Sequence, residues 1–66
     1  MNQFKKMSFN EQYEAMQIIC NLQKMKTNIY NRKYYFDDFI QYTLQELRYL
    51  QNTLLIKWNN KIKESN

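Results

Sequence analysis

The chain has 66 residues and a net charge of +4, with ten Lys and Arg against six Asp and Glu, and it contains no glycine, proline or histidine. A chain of this length buries only about 60% of its unfolded surface, so its own core is small. Its one cysteine, Cys20, excludes an intrachain disulfide, and without histidine a zinc site lacks its commonest ligand. We therefore expect one domain, residues 1–66, that is stabilised by association with another molecule.

The composition also sets expectations for the compartment. A single thiol fits a reducing environment better than a secreted one. The longest apolar run is three residues, whereas about 20 are needed to span a bilayer. We expect a soluble protein of the cytoplasm, or of another reducing compartment, with no membrane contact. The abundance of Lys, Asn and Tyr is typical of A+T-rich genomes, including those of phages and mobile elements, so the basic charge is weak evidence for nucleic-acid binding.

The first predicted helix spans residues 9 to 26. Ser8 and Glu11 form a capping-box pattern, in which each side chain can accept a hydrogen bond from the backbone amide of the other residue. We expect Asn28 to end this helix in the left-handed conformation. Two adjacent faces of the helix are apolar, and we assign both to the core: Phe9, Tyr13, Met16 and Cys20 on one, and Ala15, Ile19 and Leu22 on the other.

A connector, residues 27 to 33, precedes the second predicted helix, residues 34 to 63. Asn31 is its candidate N-cap. This helix has two apolar stripes. The first consists of Phe36, Ile40, Leu47, Leu54 and Trp58; the second has a seven-residue spacing, Tyr35, Tyr42, Tyr49 and Ile56, and is joined by Phe39. Because a helix with one side in water needs only one stripe, we expect the second to contact another macromolecule.

Together these elements predict an all-α fold, a two-helix antiparallel hairpin with a longer second helix. At 1.5 Å per residue the helices would be about 27 and 45 Å long, so Trp58 would extend beyond the first. An N-terminal arm with Phe4 and Met7 could fold back and cover Trp58. Two hairpins could also cover both stripes by pairing into a dimeric four-helix bundle.

Catalysis is not expected from this sequence. General acid–base chemistry needs paired groups in a pocket, whereas Asp37 and Asp38 are adjacent on a predicted helix and point about 100° apart. Glu11 and Glu14 lie in a first helical turn, where carboxylates interact favourably with the helix dipole. Cys20 has no imidazole to activate it. We expect no enzyme activity, no metal, no other cofactor and no small-molecule substrate.

The leading hypothesis is a small regulator or inhibitor that docks on a protein, either a larger one or a second copy of itself, through the second helix. Large aromatic side chains dominate interface energetics. The residues expected to make this contact are Tyr35, Phe39, Tyr42, Tyr49, Ile56 and Trp58. An accessory structural subunit of a large assembly is an alternative that uses the same surface.

A second alternative is binding of nucleic acid around the connector, where cations could contact phosphates and tyrosines could stack on unpaired bases. The residues concerned are Lys24, Lys26, Arg32 and Lys33, with Tyr30 and Tyr34 between them. Lys57, Lys61 and Lys63 form another basic cluster at the far end of the predicted hairpin. An antiparallel dimer would bring the two clusters together. The competing interpretation is that these lysines only solvate helix ends.

Overall fold

The computed structural model describes residues 2–64. Among these residues every regular element is helical, and the prediction of an all-α protein is confirmed. The elements are the short helix α1 (Gln3–Lys6), the long helix α2 (Phe9–Tyr30), a 3-10 turn (Phe36–Phe39) and the long helix α3 (Leu44–Glu64). The two long helices pack together.

Helix α2 begins where its capping box predicts. The Glu11 amide donates to Ser8 Oγ at 3.3 Å, and the Ser8 amide donates to Glu11 Oε1 at 2.9 Å. The helix continues to Tyr30, beyond the predicted end at residue 26, and Asn31 follows it in the left-handed region at φ 53° and ψ 44°. Asn28 was the residue predicted for that position, but its side chain donates to Lys24 O within the helix instead.

Helix α3 begins ten residues later than predicted. A second capping box marks its start: the Glu46 amide donates to Thr43 Oγ1 at 3.1 Å, and the Thr43 amide donates to Glu46 Oε1 at 2.8 Å. Residues 34–43 are not α-helical. In the 3-10 turn the Asp38 amide donates to Tyr35 O at 3.1 Å, and the Asp38 carboxylate accepts from the Tyr35 amide at 2.8 Å. Asn31 therefore ends α2, and its predicted role as the cap of the second helix is wrong.

The two long helices run in the same direction. Near their starts, Glu14 pairs with Arg48 at 2.7 Å. Near their ends, Lys61 donates to the Asn28 carbonyl, so pairs of contacting residues advance together along both helices. In an antiparallel hairpin, Lys61 would lie at the opposite end of the molecule from Asn28. The predicted antiparallel arrangement is therefore wrong.

The connector, residues 31–43, makes this direction feasible. It returns along α2, because Gln23 Nε2 donates to Tyr34 O at 3.2 Å near one end and the Phe4 amide donates to Ile40 O at 3.1 Å near the other. An extended chain of this length reaches about 43 Å, enough to retrace a helix about 33 Å long. The much shorter connector predicted from sequence could join only antiparallel neighbours.

The core lies between α2, α3 and the connector. Its buried side chains are Ala15, Ile18, Ile19, Leu22, Met25, Phe39, Leu47 and Leu54. The N-terminal arm packs at the opposite end from Trp58: the Phe4 ring meets Phe36 edge-on at 5.3 Å, and Gln12 Nε2 donates to Phe4 O at 3.0 Å. The arm therefore closes the start of α2 against the connector. It does not cover Trp58, which packs against the core.

Candidate functional site

The residues predicted to bind a partner do not form one surface. Phe39 is only 2% exposed and belongs to the core, so its assignment to an interface is wrong. Trp58 and Tyr42 are half-buried and pack against the core. Tyr35 is exposed but lies in the connector. Because helix α3 starts only at Leu44, the seven-residue ladder is not a continuous helical stripe.

A small apolar patch remains on the outer side of α3. Tyr49 and Ile56 are both exposed, and helical spacing places them on the side away from the buried Leu47 and Leu54. Beside Tyr49 lies a shallow depression of about 290 Å³, lined by Tyr42, Gln45, Glu46, Tyr49 and Leu50. Two of the six predicted contact residues therefore lie on this face of α3, and a third borders it.

A larger exposed stripe lies on α2, where the sequence indicated core. The stripe, called here the outer stripe, consists of Phe9, Tyr13, Met16 and Cys20. Phe9 is 83% exposed and Tyr13 is 63% exposed. Helical geometry turns these positions about 100–180° away from the buried Ala15 and Leu22. The assignment of the outer stripe, including Cys20, to the core is therefore wrong.

The reason is that α2 has two apolar faces and only one of them is covered. Helix α3 and the connector pack on the face rich in Ile and Leu, which also includes Ile18 and Met25. The composition of the two faces gave no signal that separates them, since Cys, Phe and Met are among the residue types most often fully buried, as are Ile and Leu. Phe9 and Tyr13 occur with soft Met and Cys side chains on the other face.

The borders of the outer stripe are polar but uncharged. Asn10, Gln17 and Asn21 follow one edge and are exposed. Gln12 and Gln23 follow the other edge, and their amides hold the carbonyls of Phe4 and Tyr34 in place. From Phe9 to Gln23, the outer side of α2 therefore presents apolar and amide groups without a formal charge.

The cations around the end of α2 lie over aromatic rings. Lys26 Nζ is 4.9 Å from the centre of the Tyr34 ring, and the Arg32 guanidinium is 5.3 Å from it. Lys33 Nζ lies 5.4 Å from the Tyr35 ring. Tyr34 is therefore engaged by two cations of its own chain. The nucleic-acid hypothesis treated its ring as an open stacking surface, and these contacts do not favour that role.

Helix α3 adds further cations at the same end. Lys57 Nζ donates to Tyr30 Oη at 3.2 Å and lies 5.8 Å from the centre of that ring. Lys61 donates to Asn28 O, and Lys63 follows in the last turn. Lys24 is exposed and borders the groove between α2 and α3. The two basic clusters predicted to lie far apart therefore meet within one chain.

Several carboxylates have structural partners. The hydrogen bond from Arg48 lowers the pKa of Glu14, and the same contact raises the pKa of Arg48. The backbone amide of Ser8 lowers the pKa of Glu11. Within residues 2–64, no three His, Cys, Asp or Glu side chains lie close enough together to hold a metal ion. Glu11 and Glu14 thus serve a helix cap and a contact between helices.

Comparison with protein families, curated proteins and solved structures finds no significant match to this chain. In the described part of the chain, no helix combines the length and the apolar character needed to cross a bilayer. The outer stripe, the α3 patch and the basic end of the helices are the surfaces from which a function can be inferred.

Proposed function

We propose that this chain is a small non-enzymatic protein-binding module, a regulator or inhibitor that docks on a larger protein through the outer sides of its long helices. The observation that supports this most directly is the exposure of Phe9 and Tyr13 in a row with Met16 on one side of α2. Burying a large apolar side chain stabilises a complex by roughly 1.5–3 kcal/mol. A partner that covers the outer stripe gains such a contribution from more than one side chain, and the cost of association is subtracted from their sum.

The spacing of the outer stripe suits a helix bound in a groove. Its residues follow one another at intervals of three or four, the pattern by which amphipathic helices anchor in hydrophobic grooves. From Phe9 to Cys20 the stripe is about 17 Å long. Tyr, Phe and Met are enriched at the centres of interfaces, whereas charged residues are depleted there. The uncharged borders of the stripe favour a partner groove lined by apolar side chains.

The docking surface proposed here differs from that expected from sequence, which was the second long helix. We place the main contact on α2, because its outer stripe is longer and contains more exposed side chains than the α3 patch. Tyr49 and Ile56 supply a secondary contact on the other helix. A second copy of the chain, forming a dimeric bundle, and incorporation into a large assembly are the competing ways of covering the same stripe.

Site-specific photocrosslinking tests this proposal. Benzoylphenylalanine is placed at Tyr13 and, as a control, at exposed Gln41 in the connector, and each variant is irradiated in the cells that make the protein. We expect a discrete adduct with a larger protein from position 13 and none from position 41. An adduct of twice the chain mass would show that the partner is a second copy of this chain and not a larger protein. Identical adducts from both positions, or none, would contradict docking through the outer stripe.

Once the partner has been captured, substitutions distinguish the contribution of the outer stripe to binding from that of the α3 patch. Tyr13→Ser should weaken binding by more than about 1 kcal/mol, since truncated aromatic anchors commonly cost that much. Tyr49→Ser is the matched change on α3 and should have the smaller effect. Titration calorimetry measures each affinity, and circular dichroism checks that both variants stay helical. A larger loss of affinity from Tyr49→Ser would show that the main contact lies on α3.

A further inference from the structure

The parallel direction of α2 and α3 concentrates positive charge at one end of the molecule. Lys57 contacts Tyr30 and Lys61 contacts Asn28, so residues 24–33 and residues 57–63 are neighbours. The cations of these two segments, called here the basic end, are Lys24, Lys26, Arg32, Lys33, Lys57, Lys61 and Lys63. They are seven of the ten Lys and Arg in the whole chain.

The basic end contains little opposing charge. Neither segment includes an acidic residue, and Glu64 directly follows Lys63. Asp37 and Asp38 follow Tyr35 in the connector, and the Asp38 carboxylate accepts from the Tyr35 amide at 2.8 Å. Glu11, Glu14 and Glu46 lie in the first two turns of their helices, at the other end. Glu14 is also neutralised by Arg48.

Cations at helix ends are common because they offset the negative end of the helix dipole. That effect amounts to about half a charge for each helix, so two helices account for roughly one of the seven cations. Lys61, which donates to the Asn28 carbonyl, serves in this way. Most of the positive charge exceeds what the helix ends require and is available to attract an anionic partner.

Two tyrosines beside these cations have accessible rings. Tyr35 is 60% exposed and Tyr30 is 46% exposed. Each of these exposed rings has a single cation over it, Lys33 at 5.4 Å from Tyr35 and Lys57 at 5.8 Å from Tyr30, whereas the half-buried Tyr34 ring has two. Stacking on such rings, with cations following the backbone, is how proteins hold single strands without reading their sequence.

We infer that the basic end is a binding site for single-stranded nucleic acid, in which exposed lysines and arginine contact phosphates and Tyr35 and Tyr30 stack on unpaired bases. A duplex keeps its bases stacked on one another, so these rings favour a single strand. An acidic peptide would satisfy the charge but would offer no flat bases to the two rings. The site is separate from the outer stripe and does not depend on the protein-docking proposal.

Fluorescence anisotropy with a labelled oligothymidylate about 12 nucleotides long measures this binding. The variant R32E/K33E should lose at least about tenfold in affinity. Its salt dependence should also fall, because each lost phosphate contact reduces the slope of log K against log salt by about 0.7, or about 1.4 for two. The matched control is K5E/K6E, which changes the net charge equally at the opposite end and should leave affinity within about twofold.

Circular dichroism establishes that both variants remain folded before they are compared. Equal losses from R32E/K33E and K5E/K6E would mean that only total charge matters, and would overturn the site. Absence of binding by the unaltered protein at low salt would do the same.

The stacking component has its own test. Tyr35→Leu retains an apolar side chain but removes the aromatic face, and should reduce oligothymidylate affinity about 5- to 150-fold. The affinity for a duplex of equal length should not change. Equal binding of single strand and duplex, or displacement by polyaspartate at the same charge concentration as nucleic acid, would overturn the inference in favour of a general anion surface.

Discussion

Lys57 Nζ donates to the phenol oxygen of Tyr30 at 3.2 Å, a contact between residues 27 positions apart. It places the last residue of α2 beside the C-terminal half of α3. Together with the Glu14–Arg48 pair near the starts of both helices, it gives the two helices a common direction. This direction is what unites the basic residues and leaves the outer sides of both helices exposed.

The single cysteine and the single tryptophan can test this direction in solution. In the parallel arrangement, the register of the Glu14–Arg48 pair places Cys20 about 6 Å along the axis from Trp58. In an antiparallel hairpin turning near residue 30, the separation would be about 27 Å. We expect strong energy transfer from Trp58 to a dansyl group on Cys20, and weak transfer after unfolding in urea.

A second labelling site adds a comparison for which parallel and antiparallel helices predict opposite orders of transfer efficiency. In the variant Cys20→Ser/Asn10→Cys, the label lies about 21 Å along the axis from Trp58 for parallel helices but about 12 Å for antiparallel ones. For parallel helices, transfer from Trp58 should therefore be stronger to the label at position 20 than to the label at position 10. The opposite ranking would refute the parallel arrangement.

The capping box at Thr43 should contribute to stability. Thr43→Ala removes the side-chain acceptor for the Glu46 amide and should lower the free energy of unfolding by about 1 kcal/mol. Urea denaturation measures the loss. Thr53→Ala is the matched control inside α3, where the hydroxyl only donates back to Tyr49 O, and alanine should be neutral or stabilising there. Equal losses from both variants would show that Thr43 does not cap α3.

Phe39 should behave as a core residue. Phe39→Ala should lower the free energy of unfolding by about 3–5 kcal/mol and unfold much of so small a domain. Phe39→Leu preserves more of the volume and should remain folded with a reduced midpoint in urea. Ile56→Ala, at an exposed position, should change stability by less than about 0.5 kcal/mol. If Phe39→Ala kept full stability, the connector would not be part of the core.

Stability should decrease in acid through Glu14. Arg48 holds the pKa of this carboxyl below its ordinary value of 4.5. The folded state therefore binds fewer protons than the unfolded state, so the stabilisation is complete above pH 4.5 and is lost as the pH falls through the folded-state pKa. The melting temperature measured against pH should show this decline.

The variant Glu14→Gln isolates this contribution. Its melting temperature should be lower than that of the unaltered protein at neutral pH, and the difference should shrink below pH 4.5. Asp37→Asn removes the same charge from an exposed side chain outside the pair and serves as the control. A difference that stayed constant through the acid range would show that the Glu14–Arg48 pair is not made in solution.

The sequence by itself determined the features that depend on nearby residues. Helical periodicity predicts an all-α chain, and the hydrogen bonds between Ser8 and Glu11 lie within one turn, so the start of α2 could be predicted correctly. The start of α3 was predictable in the same way from Thr43 and Glu46, a signal that the apolar periodicity through residues 34–43 concealed. The sequence also indicated that the chain has more apolar surface than its own core can cover.

Only the tertiary structure decided which apolar face is buried and where the basic residues meet. Phe9 and Ile19 lie on equally periodic faces of one helix, and the choice between them depends on contacts with residues far away in the chain. Periodicity is local, whereas the contacts of Glu14 with Arg48 and Asn28 with Lys61 join residues 34 and 33 positions apart. The path of the connector, with Phe39 inserted into the core, determined those partners and therefore both candidate binding surfaces.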